Sequence, residues 1–223
     1  MNTVRPAAGG GRMIEISPSR VTGWFERFER RHDGVRSTEV LGDTITVRAV
    51  DGATATVTTA FPPLGLTEGT EPGLRVDGLV AHVLAPRRIG LLLVRLGGHS
   101  VGVAESGRVL VSATGHVLVH GRSKAGGWSQ QRFARRRAGQ ARHALRTAAD
   151  DAVRVLVPRL PELVAVVLGG DRRALDVLRE DRRLAGVFAI AGPRVLDVPE
   201  PRRAVLDEAA VRSESAEIRV TEP

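Results

Sequence analysis

The 223-residue chain contains no cysteine and no tyrosine, and its one lysine is Lys124. Without cysteine there is no disulfide framework, no thiolate zinc site and no cysteine nucleophile, so any metal chemistry would need histidine and carboxylate ligands. Aromatic residues make up 3% of the chain, which argues against a surface that stacks successive nucleobases on exposed rings. No apolar run reaches the ~18 residues needed to span a bilayer, and no segregated basic amphipathic helix marks a membrane surface. The opening segment MNTVRPAAGGGR lacks an apolar core of signal-peptide length, so the chain is expected to stay in the cytoplasm.

What the sequence does have is arginine. The formal charge is +8, and a field of that sign attracts polyanions, which puts nucleic acid or a ribonucleoprotein first among partners. A GC-rich coding bias would also enrich Arg, Ala, Gly and Val, but it does not explain why the arginines cluster. With few rings available, phosphate and sugar contact by guanidinium is the natural mode of binding. The hydrophobic content of 42% is that of a chain which buries a core.

Residues 1–12, rich in Gly, Ala and Pro, read as a disordered lead-in. In SPSRVTGWFERFERRH, Ser17 can cap a helix and Pro18 suits its first position. Val21, Trp24, Phe25 and Phe28 then recur at helical spacing, chiefly as a core face. From Thr38 to Ala60 β-branched residues alternate between Gly-Asp and Asp-Gly turns, which predicts a small antiparallel meander, so residues 13–73 form a helix-plus-meander region ending in a Pro/Gly connector. Residues 74–223 carry hairpin-like strands (IGLLLVRL, HSVGVAESG, RVLVSA, GHVLVHG). They continue with a helix from about Gln131 to Val155, a strand LVAVVLG, a helix DRRALDVLRED, a strand VFAIAG, and a last segment able to add a helix and an edge strand. Hairpins followed by alternating helix and strand place the chain in the α/β (α+β) class: a mixed sheet with flanking helices in ribonuclease-H-like order.

The chemistry concentrates between GHVLVHG and the long helix, in GRSKAGGWSQQRFARRR. Gly126 and Gly127 permit close backbone approach, and Arg122, Lys124, Arg132, Arg135, Arg136 and Arg137 surround them with positive charge that would repel itself without an anion nearby. This stretch resembles the central-domain motif of eukaryotic and archaeal class I release factors, in which a GGQ tripeptide is followed by Ser and an Arg-Phe-containing helix. Gly126, Gly127, Ser129, Arg132 and Phe133 match as they stand, while Trp128 occupies the position of the GGQ glutamine. With the glutamine one step later in a G-x-[S/A]-Q arrangement, Gly127, Trp128, Ser129 and Gln130 resemble the Vms-like release factor (VLRF) family, in particular its actinobacterial branch. The tight match covers residues 121–137, and the order of elements agrees more loosely over Gly78 to Val198.

The resemblance implies a release-factor catalytic domain that hydrolyses the ester of peptidyl-tRNA on stalled or split ribosomes. The implied partners are the large ribosomal subunit, peptidyl-tRNA and ribosomal RNA, with no cofactor, metal, DNA or membrane. It makes Gln130 the catalytic residue and Gln131 its competitor, with Gly127 and Ser129 shaping the loop and Arg122, Lys124, Trp128, Arg132, Arg135, Arg136 and Arg137 facing RNA. The alternative is a ribosome- or structured-RNA-binding module without catalysis.

Other residues carry less. His99, His116 and His120 match no ligand spacing, and Asp150 and Asp151 diverge on a helix, so they do not form a shared two-carboxylate site. In VVLGGDRRAL the two glycines lack a phosphate-loop pattern and read as a tightly packed turn. The arginine pairs beginning at Arg172, Arg182 and Arg202 read as solvated faces.

Overall fold

The structure, a computed structural model, describes residues 3–7, 9–95, 97–116 and 129–223, with backbone alone for residue 3 and residues 129–138. The chain forms two compact units, Met1–Pro86 with Glu214–Pro223, and Arg87–Ser213. The first contains β1 (Thr3–Pro6), β2 (Arg12–Ile16), α1 (Val21–Arg31), β3 (Val35–Leu41), β4 (Thr44–Ala49), β5 (Thr54–Thr58), β6 (Gly69–Pro72) and α2 (Asp77–Leu84). The second contains β7 (Arg88–Arg95), β8 (Gly98–Glu105), β9 (Arg108–His116), α3 (Ser129–Val155), β10 (Ala165–Gly170), α4 (Arg172–Arg179), α5 (Ala185–Ala189), β11 (Ala191–Leu196) and α6 (Arg203–Ser213), and β12 (Ala216–Thr221) returns to the first.

The first unit is an antiparallel sheet in the order β1-β2-β12-β5-β4-β3-β6. Period-two alternation gives it one buried face: Ile45, Val47, Ala55 and Val57 are in the core. Threonines occupy the other face, with hydroxyl pairs Thr44–Thr58 at 3.3 Å and Thr46–Thr56 at 3.4 Å. Val21, Phe25 and Phe28 of α1 pack into the same core. Ser17 makes no side-chain capping bond; Pro18–Arg20 instead form a 3-10 turn, and the α-helix begins at Val21.

Three features differ from the sequence expectations. The lead-in pairs, because Thr3–Pro6 lies antiparallel against Arg12–Ile16. The units divide at Pro86/Arg87, beyond α2, whose Leu79 belongs to the first core, and not at Gly73. And β12 is no edge strand: it sits between β2 and β5, with Ala216, Ile218 and Val220 buried on alternate positions.

The second unit is a mixed sheet in the order β11-β10-β7-β8-β9, with β7, β8 and β9 an antiparallel meander and β10 and β11 added in parallel beyond β7. This is the ribonuclease-H-like order expected. Its core is built on β7, β8 and β10, with α3, α4 and α5 contributing side chains. Residues 187–190, expected as strand, close a short helix instead: Leu184 and Val187, three apart, bury together, and the strand starts at Ala191. Pro193 is tolerated there because β11 is an edge strand whose pairing with β10 breaks register between Val166 and Leu168.

Candidate active site

The motif segment joins β9, which ends at His116, to α3, which begins at Ser129. Arg122, Lys124, Gly127 and Trp128 lie outside the described residues, as does His120. Ser129, Gln130, Gln131, Arg132, Arg135, Arg136 and Arg137 lie on the opening turns of α3, where the backbone is described. The helix therefore starts two residues earlier than Gln131, and both candidate glutamines fall in its first turn. The first four N–H groups of a helix have no intrahelical acceptor and stand at its positive end, so this backbone offers donors to an oxyanion or a phosphate.

Downstream, α3 is fixed to the sheet. Ala144, Ala148, Ala149 and Ala152 form a buried stripe whose small side chains let the helix backbone approach the strands closely. A polar anchor adds to this. His99 on β8 is 2% exposed, and its Nε2 lies 2.8 Å from Asp151 Oδ2 on α3, while Arg154 Nη2 donates to Asp151 Oδ1 at 2.6 Å. Burial opposes ionisation of Asp151, but the bonds from His99 and Arg154 outweigh it and hold its carboxyl below the ordinary carboxylate range. The ring needs room on β9. A Cβ at Gly115, the register partner of His99, would stand 2.3 Å from His99 Cε1, so only glycine admits the ring there. Asp150, which does diverge from Asp151, binds Arg183 Nη1 at 2.8 Å, and Arg183 also binds Asp181 at 2.7 Å.

The end of β9 is pinned as well. His116 Nε2 lies 2.6 Å from Glu200 Oε1, and Arg202 donates to the other oxygen at 3.2 Å; Arg202 and then His116 lower the Glu200 pKa. Both ends of the motif segment thus join elements that hydrogen bonds and packing hold in place.

The turn after β10 is structural. Gly170 has φ +97°, and a Cβ there would stand 2.1 Å from the Val94 carbonyl oxygen. Asp171 accepts from Arg173 N at 2.9 Å, so a carboxylate already occupies the start of α4 where a phosphate would bind. Among the described residues, no three His, Asp or Glu side chains converge as metal ligands, and no helix is long and apolar enough to cross a membrane.

Sequence reasoning missed Arg142 and Arg146. They lie one turn apart on α3, are exposed, and have no carboxylate partner among the described residues. Their spacing of four on a helix already predicted was the available signal. It also missed the His99–Asp151 pair, which connects residues 52 apart in the chain.

The second unit is thus a five-stranded mixed sheet in which, by sequence, a glycine- and arginine-rich segment connects the third strand to the longest helix. The family model for the Actinobacteria/chloroflexi VLRF1 release factor matches residues 87–219, more than half of the sequence, and the chain belongs to that family. Among solved structures it is similar to an archaeal translation termination factor, aRF1 (16% identity, TM-score 0.44, covering 91% of this chain and 64% of that one). It is also similar to a second archaeal protein (16%, 0.40, 75% and 51%) and to Dom34 of S. cerevisiae, a translation termination-like factor (8%, 0.33, 95% and 69%). The chain thus spans less than two thirds of the length of either archaeal protein, and at these scores the alignments specify neither a site nor an activity. No curated protein matches significantly.

Proposed function

We propose that the protein is a cytoplasmic peptidyl-tRNA hydrolase that frees nascent chains from stalled or split ribosomes, acting at the large subunit on peptidyl-tRNA and against ribosomal RNA. The observation that carries this reading is membership of a release-factor family through a match that encloses the whole motif segment.

The chemistry suits the residues. The ester is already activated, so water held at attack distance beside a stabilised carbonyl oxygen suffices without a covalent nucleophile. Glutamine does not ionise near neutrality and is a poor general base. Gln130 instead orients water through its side-chain amide or offers its backbone N–H to the developing oxyanion, with Gln131 the competitor for the role. In the first turn of α3 the backbone N–H groups have no helical partner and can assist, while the side-chain amide, which alanine would remove, is the donor that orients the water. Gly127 lets the chain approach the ester closely, and Ser129 sets the loop's entry into the helix. Arg122, Lys124, Trp128, Arg132, Arg135, Arg136 and Arg137 contact RNA, joined by Arg142 and Arg146; these positions go round the helix, so only some of them face phosphate at once.

The test is release of labelled peptide from purified stalled large-subunit complexes. Gln130→Ala is expected to lower the release rate by about 10²–10³-fold, the scale of losing one positioned donor, with particle binding retained. If Gln131→Ala is the inactive variant, the register shifts by one and the mechanism stands. Binding of the wild type without any release would establish the non-catalytic RNA-binding module instead.

A further inference from the structure

The first unit holds a feature that peptide release does not use. On α1, Trp24, Phe28 and His32 recur every four residues and form a ladder of rings. Trp24 and Phe28 are stacked at 5.6 Å with 16° between planes, and Phe28 and His32 are 4.5 Å apart. Phe28 and His32 are buried, and His32 is held by Asp51 at 2.7 Å. Trp24 is only half-buried. It lines a cavity of about 240 Å³ whose other walls include Ile14, Val220, Arg27 and Arg31. The cavity thus combines an aromatic wall with Arg27 and Arg31, three and seven residues further along the same helix, and with a third arginine, Arg12 of β2, which is paired with Glu222.

Among the described residues unpaired arginines occur on several surfaces, as at Arg142 and Arg146, and four of them gather on and beside α1. Many of its surface arginines are paired with carboxylates, among them Arg5, Arg48, Arg95, Arg154, Arg183 and Arg203. On and beside α1, however, Arg20, Arg27, Arg30 and Arg31 are all exposed and have no carboxylate partner among the described residues. Glu26 and Glu29 share the helix but do not line the cavity. An apolar cavity would fit many ligands; one flanked by unpaired guanidiniums fits a ligand with a flat ring and anionic groups on either side.

We propose that this cavity is a single-stranded RNA contact of the first unit, in which an unpaired nucleobase enters against Trp24 while Arg27 and Arg31 hold the flanking phosphates. Stacking on a ring accepts any base, and phosphate contact carries no sequence information, so the site binds RNA without sequence preference. A single half-buried ring offers a stacking partner to one base and not to a run of them, in keeping with the scarcity of aromatics in the chain.

The test uses the full chain carrying Trp128→Phe, which leaves Trp24 as the sole tryptophan. The probe is an unstructured dodecamer of uridine. Arginines on α3 would also bind it, so the readout is Trp24 emission, which is local. The expected result is saturable quenching of Trp24. Arg27→Ala/Arg31→Ala, at exposed positions outside the core, should weaken this transition about tenfold or more and lower the slope of log affinity against log salt by about 1.4, the value for two single-strand phosphate contacts. Trp24 emission that stays constant while the RNA binds elsewhere, or a salt slope unchanged in the double variant, overturns the proposal. So does quenching by phosphatidylglycerol vesicles with none by RNA, which would assign the face to a membrane.

Discussion

The two sheets of this protein solve burial in opposite ways. In the first unit the inner strands β4, β5 and β12 keep one face in the core and one toward solvent, so β4 alternates Ile45 and Val47 inside with Thr44, Thr46 and Arg48 outside. In the second, β7 runs Ile89, Gly90, Leu91, Leu92, Leu93 and Val94 without an exposed residue, and β8 is buried from Gly98 to Ala104. A sheet that receives parallel strands through helical crossovers is covered on both faces, so its strands read as continuous apolar runs. Polar groups enter such a sheet only when they are paired, as His99 is with Asp151 and Ser100 with Thr114 at 2.6 Å. The first sheet carries hydroxyl pairs on its outer face; in the second, buried Ser100 ties β8 to β9 and buried His99 holds α3.

Substitutions should expose the difference strand by strand. The largest effect is expected in β7: Leu92→Ala and Leu93→Ala, adjacent and on opposite faces, should each cost ~2–5 kcal/mol in urea unfolding, the scale of core truncation. If one of the two were nearly neutral, the two-faced burial of this sheet would be refuted. A smaller effect is expected at the polar anchor. Asp151→Asn removes a carboxylate bonded to His99 and Arg154 and should cost about 1–3 kcal/mol. The loss should depend on pH in a definite direction. Asp151 is lowered from 3.8 in the folded chain, so its contribution is complete above about pH 4 and disappears as acid protonates it through the lower folded value. The wild type should therefore lose its margin over Asp151→Asn on acidification, and a margin constant from pH 7 to pH 2 would show that the pair does not carry it. The smallest effect belongs to the outer face of the first sheet. Thr46→Ala should cost under ~1 kcal/mol, measured by the same unfolding, whereas a cost equal to that of Leu92→Ala would erase the contrast between the sheets.

Much of the second unit was legible because its signals are local. Apolar runs marked β7 and β10, the segment DRRALDVLRED marked α4, and Gly-Gly followed by Ser-Gln and arginines marked the motif. The strand expected at 187–190 misled because a short apolar run reads equally as strand or as buried helix. The motif segment identified the family, yet the residues that anchor α3 were not legible. His99 alone is an ordinary strand histidine, and only its approach to Asp151 over Gly115 gives it a role.

The sequence by itself determined the period of each strand and helix, the absence of thiol chemistry, the basic charge and the glycine-glutamine-arginine segment, because each of these depends on residues near one another in the chain. The tertiary structure alone decided that β12 enters the middle of the first sheet, that His99 meets Asp151, and that Trp24 lines a cavity with Arg27 while Phe25 beside it enters the core. Those outcomes depend on which distant surfaces bury one another. Periodicity tells which face of an element is apolar but not what it will meet.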